Sequence, residues 1–290
     1  MISLSTCFYH CNNWQELLLN IKKLGFFEIE LDVNIPESWI DSIKKSVHNN
    51  EIKISSIHNK YRYSLSSLNE ENRNLAVKYT LKTIELAAEL SAKAVVVHLG
   101  EVETSFSGRD LYNYSLSFDL ITKNKFLEKQ KIAVWVERQT KVQPYLEKLM
   151  KSLDEIVVFA SMKHVKIGIE NRAYITDIPN IEEIKYILEK FNTPFLGYWH
   201  DVGHAEMSAR LGYVEKHFDY FDNLQKYLIG MHLHDVKTIF DHVLPGCGDF
   251  DFGILKPFLQ NPKIIKVLEV HKSERYSMND IKKAIKAVSF

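Results

Sequence analysis

Histidines and carboxylates recur at one kind of place in this chain: the downstream end of a short apolar run. Glu30 and Asp32 close EIELD, His58 closes SSIH, His98 follows VVV and Glu170 closes KIGIE. His200, Asp201 and His204 lie in GYWHDVGHA, and His232, His234 and Asp235 in GMHLHDVK. His242 lies in DHVLPGCGD and Glu269 in KVLEVHK. A carboxylate in an apolar strand costs several kcal/mol unless it is paired or binds a cation. One strand-end histidine is ordinarily a satisfied structural residue. So many at the same end of successive strands point instead to a divalent metal held between them. Glu170, Asp201, His232 and Glu269 are the primary ligand candidates. His58, His98, His204 and His242 suit a second metal, support of the first, or contact with substrate. Mixed nitrogen and oxygen ligation fits Mn, Zn, Co or Fe, and Mg less well. His234, two residues from His232 and on the same side of its strand, is a supporting or substrate-facing group. Arg172 either reaches a substrate phosphate or pairs with a nearby acid. Trp199, Tyr174 and Phe250 either pack on a substrate or fill the core. His10, His48, His164 and His217 read as surface or core residues.

The elements that must hold these groups alternate between two periods. Candidate strands are Ile2–Cys7, Phe27–Val33, Ile52–His58, Ala94–Leu99, Lys166–Asn171, Phe195–Asp201, Ile229–Asp235 and Lys266–Val270. Each is short and rich in Val, Ile, Leu or Phe, as strands buried on both faces are. Between them run helical patterns. Val77, Leu81, Ile84 and Ala88 draw one apolar stripe, and Leu146, Leu149, Leu153, Ile156 and Val157 another. A helix over Ile181–Glu189 opens with Glu182 and Glu183 in its first turn, and a last helix begins near Ser277–Asn279. Eight strands mostly followed by helices predict an α/β chain folded as a (β/α)8 barrel, one domain over residues 1–290. The competing doubly wound sheet would open on a glycine-rich turn, where this chain reads CFYHCNNW. Barrel enzymes carry their chemistry at the C-terminal strand ends, where these residues fall. The long polar segment at about 101–140 breaks the rhythm, as an insertion that is either a lid or a surface helix pair. Pro245, Gly246 and Gly248 predict a tight turn bringing backbone N–H groups and His242 over the pocket.

Composition narrows the partners. Lys+Arg and Asp+Glu are both 37, so the formal net charge is zero. That disfavours nucleic acid, whose grooves call for a surplus of Lys and Arg. A small-molecule substrate fits better. No apolar run is long enough to cross a bilayer, and the first residues lack the pattern of a signal peptide. Three cysteines, Cys7, Cys11 and Cys247, form neither a disulfide framework nor a zinc ribbon, and a cytoplasmic setting fits them.

The motifs SSIHNKY, VVVHLG, IGIENR, GYWHDVGHA, MHLHD, DHVLPGCGDFDFG and KVLEVH, in this order, resemble the xylose isomerase-like TIM barrel superfamily. That group joins sugar isomerases and epimerases to endonuclease IV-type nucleases. The resemblance covers nearly the whole chain outside the insertion. In the epimerase branch it implies one metal held by Glu170, Asp201, His232 and Glu269. His232 is chosen over His234 because His232 and Asp235 fit the family's His-x-x-Asp/Glu motif. It implies that Glu170 and Glu269 are catalytic, one removing and the other returning a proton beside a carbonyl while the metal steadies a cis-enediolate. His204 would contact substrate oxygens. An Arg that often follows the seventh strand in that branch is missing, with Lys237 the only cation there. The nuclease branch implies three metals on His58, His98, Glu170, Asp201, His204, His232, His242 and Glu269. Its loop Asp is replaced by Phe240, with Asp241 one residue off, so the third metal is expected to be weakened or lost. The reading is therefore a metal-dependent sugar or polyol isomerase or epimerase. The alternative is a metal-dependent hydrolase of a small phosphodiester or DNA; a non-catalytic barrel and a lyase have less support. Members are often dimers or tetramers, which implies a possible homo-oligomer.

Overall fold

The computed structural model describes residues 2–60, 62–117, 125–271 and 275–289. Eight parallel strands close into a barrel in chain order, the first pairing with the last. They are β1 (Ser3–Ser5), β2 (Glu28–Leu31), β3 (Lys53–His58), β4 (Ala94–Val97), β5 (Lys166–Glu170), β6 (Leu196–Asp201), β7 (Leu228–Leu233) and β8 (Ile265–Leu268). All eight lie within or overlap the runs read as strands. β1 is the shortest against expectation, because Thr6–Phe8 turn into a 3-10 helix. Helices occupy the outer ring. Ile181–Phe191 is capped by Asn180 and Glu183 in a reciprocal box, and Met278–Val288 by Ser277 and Asp280 in the same way.

Side chains alternate along each strand, so every second residue faces the barrel interior. Ala94, Val96, Trp199 and Val267 form one buried layer there. The Trp199 indole fills it by lying over two glycines: a Cβ at Gly230 would overlap the ring, and one at Gly168 would come within 2.9 Å of it. Two residues further along the same strands come Glu170, Asp201 and His232. The register pairs Glu170 with Trp199 and Asp201 with His232, which sets the polar groups on the apolar floor.

The segment at 101–140 does not end at 140. Its second helix runs unbroken from Lys125 to Lys163 and continues into the stripe expected as a separate helix; residues 118–124 lie outside the described residues. Arg138, fully buried, ties this helix to the next. It pairs with Glu183 at 2.7–2.8 Å and donates to the Asp177 carbonyl at 2.9 Å. Gly100–Glu101 pairs with Asp177–Ile178, joining the loops after β4 and β5. The shorter helix Gly108–Ser117 sends the Tyr112 hydroxyl to the Ile239 carbonyl at 3.2 Å, near the loop after β7. Among the described residues no helix is long and apolar enough to cross a membrane.

Candidate metal centre

The centre is built on His232, at the inner end of β7 and fully buried. Its Nε2 lies 3.0 and 3.2 Å from the two Glu30 oxygens. Nε2 therefore carries a hydrogen toward Glu30, and Nδ1 is the nitrogen that would offer a lone pair to a cation. Nδ1 has no hydrogen-bond partner. It faces Glu269 Oε2 at 3.2 Å, Asp201 Oδ2 at 3.6 Å and Glu170 Oε1 at 3.7 Å. Three carboxylates thus gather within 3.7 Å of one buried imidazole nitrogen, where uncompensated charge is costly. A divalent cation satisfies all four, and a carboxylate behind a metal-binding histidine is the usual support for such a ligand. These residues fit a metal.

Electrostatics agrees with the geometry. Burial raises the Glu170 carboxyl, but His98, His204, His232 and His58 outweigh it and hold it well below its usual value. Asp201 behaves alike under His204, His234 and His232, and Glu269 under His232 and His242. Asp201 is also fixed by its neighbours. It caps the helix Val202–Arg210 through the His204 N–H at 2.7 Å, and its backbone N–H donates to Asn171 at 2.8 Å.

Two further clusters adjoin the quartet. His58 Nδ1 donates to the Asn59 carbonyl at 3.2 Å, which turns Nε2 toward Glu170 Oε2, also at 3.2 Å. His98 Nε2 lies 2.8 Å from the same oxygen. Arg172 reaches into this cluster, its Nη1 2.9 Å from His98 Nε2 and 3.5 Å from Glu170 Oε1. On the other side Asp241 meets His242 Nδ1 at 3.2 Å and His204 Nε2 at 3.6 Å. The offset of Asp241 therefore does not dismantle that cluster. His242 takes a left-handed φ of 53°, and Phe240, at the position where the resemblance calls for an Asp, is exposed. Groups compatible with a cation include His58–His98–Glu170, His204–Asp241–His242 and Glu30–His232–Glu269.

The placements separate the remaining alternatives. Trp199 lies beneath His232 at a ring distance of 5.2 Å and is fully buried, so it forms the floor and does not line the mouth. His234 is committed at both nitrogens, Nε2 to Asp201 at 2.9–3.0 Å and Nδ1 to the His242 N–H at 2.8 Å. It holds Asp201 and the loop and does not line the pocket over the centre. The backbone N–H groups of Gly246, Gly248 and Phe250 converge on Asp235 rather than on the pocket. His217 is buried against His200 and Glu206, away from the centre.

Sequence reasoning left Glu30, Asp32, Asp241 and His271 out of the site. Glu30 and Asp32 carried a signal, carboxylates closing an apolar run; Asp241 and His271 did not separate from ordinary loop residues. The pocket over the centre, about 160 Å3, is lined by His58, His98, Glu170, Arg172, His204, His242 and Glu269, with Cys7, Asp32 and His271 at its edge. A larger cavity of about 1,050 Å3 lies on the outer helices, remote from these groups.

The family model described as xylose isomerase-like TIM barrel matches residues 18–289. Uncharacterized protein MJ1311 of Methanocaldococcus jannaschii is 28% identical over 191 residues, 64% of this chain and 53% of that protein. The chain thus spans about half the length of that curated relative. Among solved structures, a D-tagatose 3-epimerase-like protein superposes with a TM-score of 0.68 at 22% identity, over 99% of this chain and 97% of that one. The IOLI protein with a binding zinc atom superposes with a TM-score of 0.64 at 15% identity, over 99% and 97%. At such identities the likeness is one of fold.

Proposed function

The chain belongs to the xylose isomerase-like TIM barrel family, and from that premise we propose that it is a divalent-metal-dependent isomerase or epimerase of a sugar or a related small polyol or keto compound. One observation carries the reading: the buried Nδ1 of His232 with carboxylates of Glu269, Asp201 and Glu170 at 3.2–3.7 Å around it. The similarity in fold to a D-tagatose 3-epimerase-like protein supports the substrate class, and the zinc atom in the IOLI structure supports the cation. Mn, Zn, Co and Fe suit the donor set better than Mg.

A cation held by Glu170, Asp201, His232 and Glu269 would supply Lewis acidity toward the substrate carbonyl. The protein's own residues do the rest. Glu170 and Glu269 lie on either side of His232, and both line the pocket. One takes the proton from the carbon beside the carbonyl, and the other returns a proton to the enediolate. Arg172 stands in for the arginine missing after β7, and it steadies the developing oxyanion. His204, at the pocket wall, donates to a substrate oxygen. The helix Gly108–Ser117 helps to cover the barrel mouth.

A second reading has its own support. The clusters on His58, His98 and Glu170 and on His204, Asp241 and His242 suit extra cations, as in a phosphoester hydrolase. Arg172 weighs against it, since its guanidinium stands beside His98 and Glu170 where a second cation would bind.

The test is metal content per chain after reconstitution with Mn or Zn, together with turnover of a ketose panel. One ion and interconversion of ketoses is the expected result. Two or three ions with phosphodiester cleavage would replace the first reading by the second.

A further inference from the structure

The pocket over the centre is small for a complete binding site. Its volume of about 160 Å3 falls below the roughly 300–1,000 Å3 usual for ligand sites. Cys7, Asp32, Asn34 and His271 line both this pocket and a second cavity of about 580 Å3, so the two adjoin. The second cavity lies at the ends of β1 and β2. Tyr9 and Trp39, both half-buried, line it, and Asp32, Asn34 and His10 add polar groups. Trp39 is set there by the 3-10 turn Glu37–Trp39, which follows the loop carrying Asp32 and Asn34.

Aromatic rings beside a carboxylate and an amide suit one chemistry. The C–H face of a pyranose packs on a flat ring, and its hydroxyls pair with oxygen acceptors and amide donors at the ring's edge. Asp32 accepts from the backbone and side chain of Asn34 and keeps acceptor capacity beyond those two bonds. It lines both cavities, so a hydroxyl at the junction meets it from either side. Among the described residues no Lys or Arg lines the second cavity.

We infer that this cavity is a second sugar subsite and that the substrate is a glycosylated keto sugar. The reacting unit sits beside Glu170 and Glu269, and the second glycosyl unit lies against Trp39 and Tyr9. Asp32 reads the hydroxyls between them. The inference rests on the isomerase or epimerase reading for the reacting unit.

Isothermal titration of the Mn-loaded full chain with D-fructose and with the glucosyl-fructoses turanose, maltulose and isomaltulose tests it. At least one disaccharide should bind tenfold or more tighter than fructose. Trp39→Ala should erase that advantage, as should Asn34→Ala at an exposed position if the first variant folds poorly. Fructose binding without any gain from the glucosyl unit would overturn the second subsite alone. A gain that survives both substitutions would do the same. Failure of fructose and all three disaccharides to bind the metal-loaded protein would overturn the sugar reading together with the subsite.

Discussion

Glu30 stands 3.0 Å behind His232, its Oε1 against Nε2, with both side chains fully buried and Ser56 Oγ donating to the other Glu30 oxygen at 2.7 Å. The carboxylate sets the imidazole tautomer and raises its basicity toward the centre. Glu30→Gln keeps the shape and removes the charge. Affinity for Mn or Zn should fall by about 10- to 100-fold, measured by titration against a competing chelator. Unchanged affinity would remove Glu30 from the metal centre.

Glu269→Gln should lower kcat by at least about 100-fold while circular dichroism shows an intact barrel. Asp201→Asn should act mainly on metal affinity, because Asp201 is locked by His234 and the helix cap away from proton transfer. Full turnover in either variant contradicts the assignment of the centre.

The metal-free protein should be most stable near pH 6.5, by the following signs. Burial lowers the His232 imidazole, but Glu269 and Glu30 outweigh it and hold it well above its usual value. His242 is raised in the same way by Asp241 and Glu269. A raised histidine contributes fully below about pH 6.5 and loses its contribution as pH climbs through the raised pKa. His98 works in the opposite sense: burial and then Arg172 push it down to about 3. Its contribution is present above about pH 6.5 and is lost as pH falls toward that lower value. Bound metal displaces the ring protons, so the gain in Tm from Mn should grow between about pH 6 and 9. Thermal melts with and without chelator across that range measure it; a gain independent of pH would show that the histidines are not ligands.

Arg172→Met should vacate the position beside His98 and Glu170. Zinc per chain, read by elemental analysis, should rise from one to two. A wild-type protein that already binds two or three ions, unchanged in the variant, would show that Arg172 does not compete with a cation.

Asp235 is a test of stability rather than chemistry. It is fully buried and accepts four backbone N–H groups, from Val236, Gly246, Gly248 and Phe250, at 2.8–3.0 Å. Asp235→Ala leaves them unpaired and should cost roughly 3 kcal/mol or more in denaturant unfolding, with a looser His242 loop. A loss under about 0.5 kcal/mol would mean that solvent replaces the carboxylate.

Much of this was legible in the amino-acid sequence because a parallel barrel obeys local rules. Runs such as AVVV and KIGIE bury both faces, and the residue closing each run falls at the catalytic end. His58, Glu170, Asp201, His232 and Glu269 are therefore readable one strand at a time. The choice of His232 over His234 came from the family's motif, and the geometry of Nδ1 agrees with it. Alternation within a strand puts Trp199 and Asp201 on the same face, but it does not say that two glycines on neighbouring strands leave the indole room to become the floor.

Strand identity and the order of chemical groups along the chain were determined by the sequence alone, since period and composition act locally. Contacts between groups far apart in the chain were decided by barrel closure. Glu30 and His232 are separated by 202 residues, and only the closing of β1 on β8 and the inter-strand register bring them into contact. Asp241 meets His204 from a loop whose Thr238 and His242 are both left-handed, and Arg172 enters the second cluster by the direction of a side chain beyond its strand. Such placements depend on loop backbone angles and on charge balance summed over several strands, which no spacing within one segment encodes.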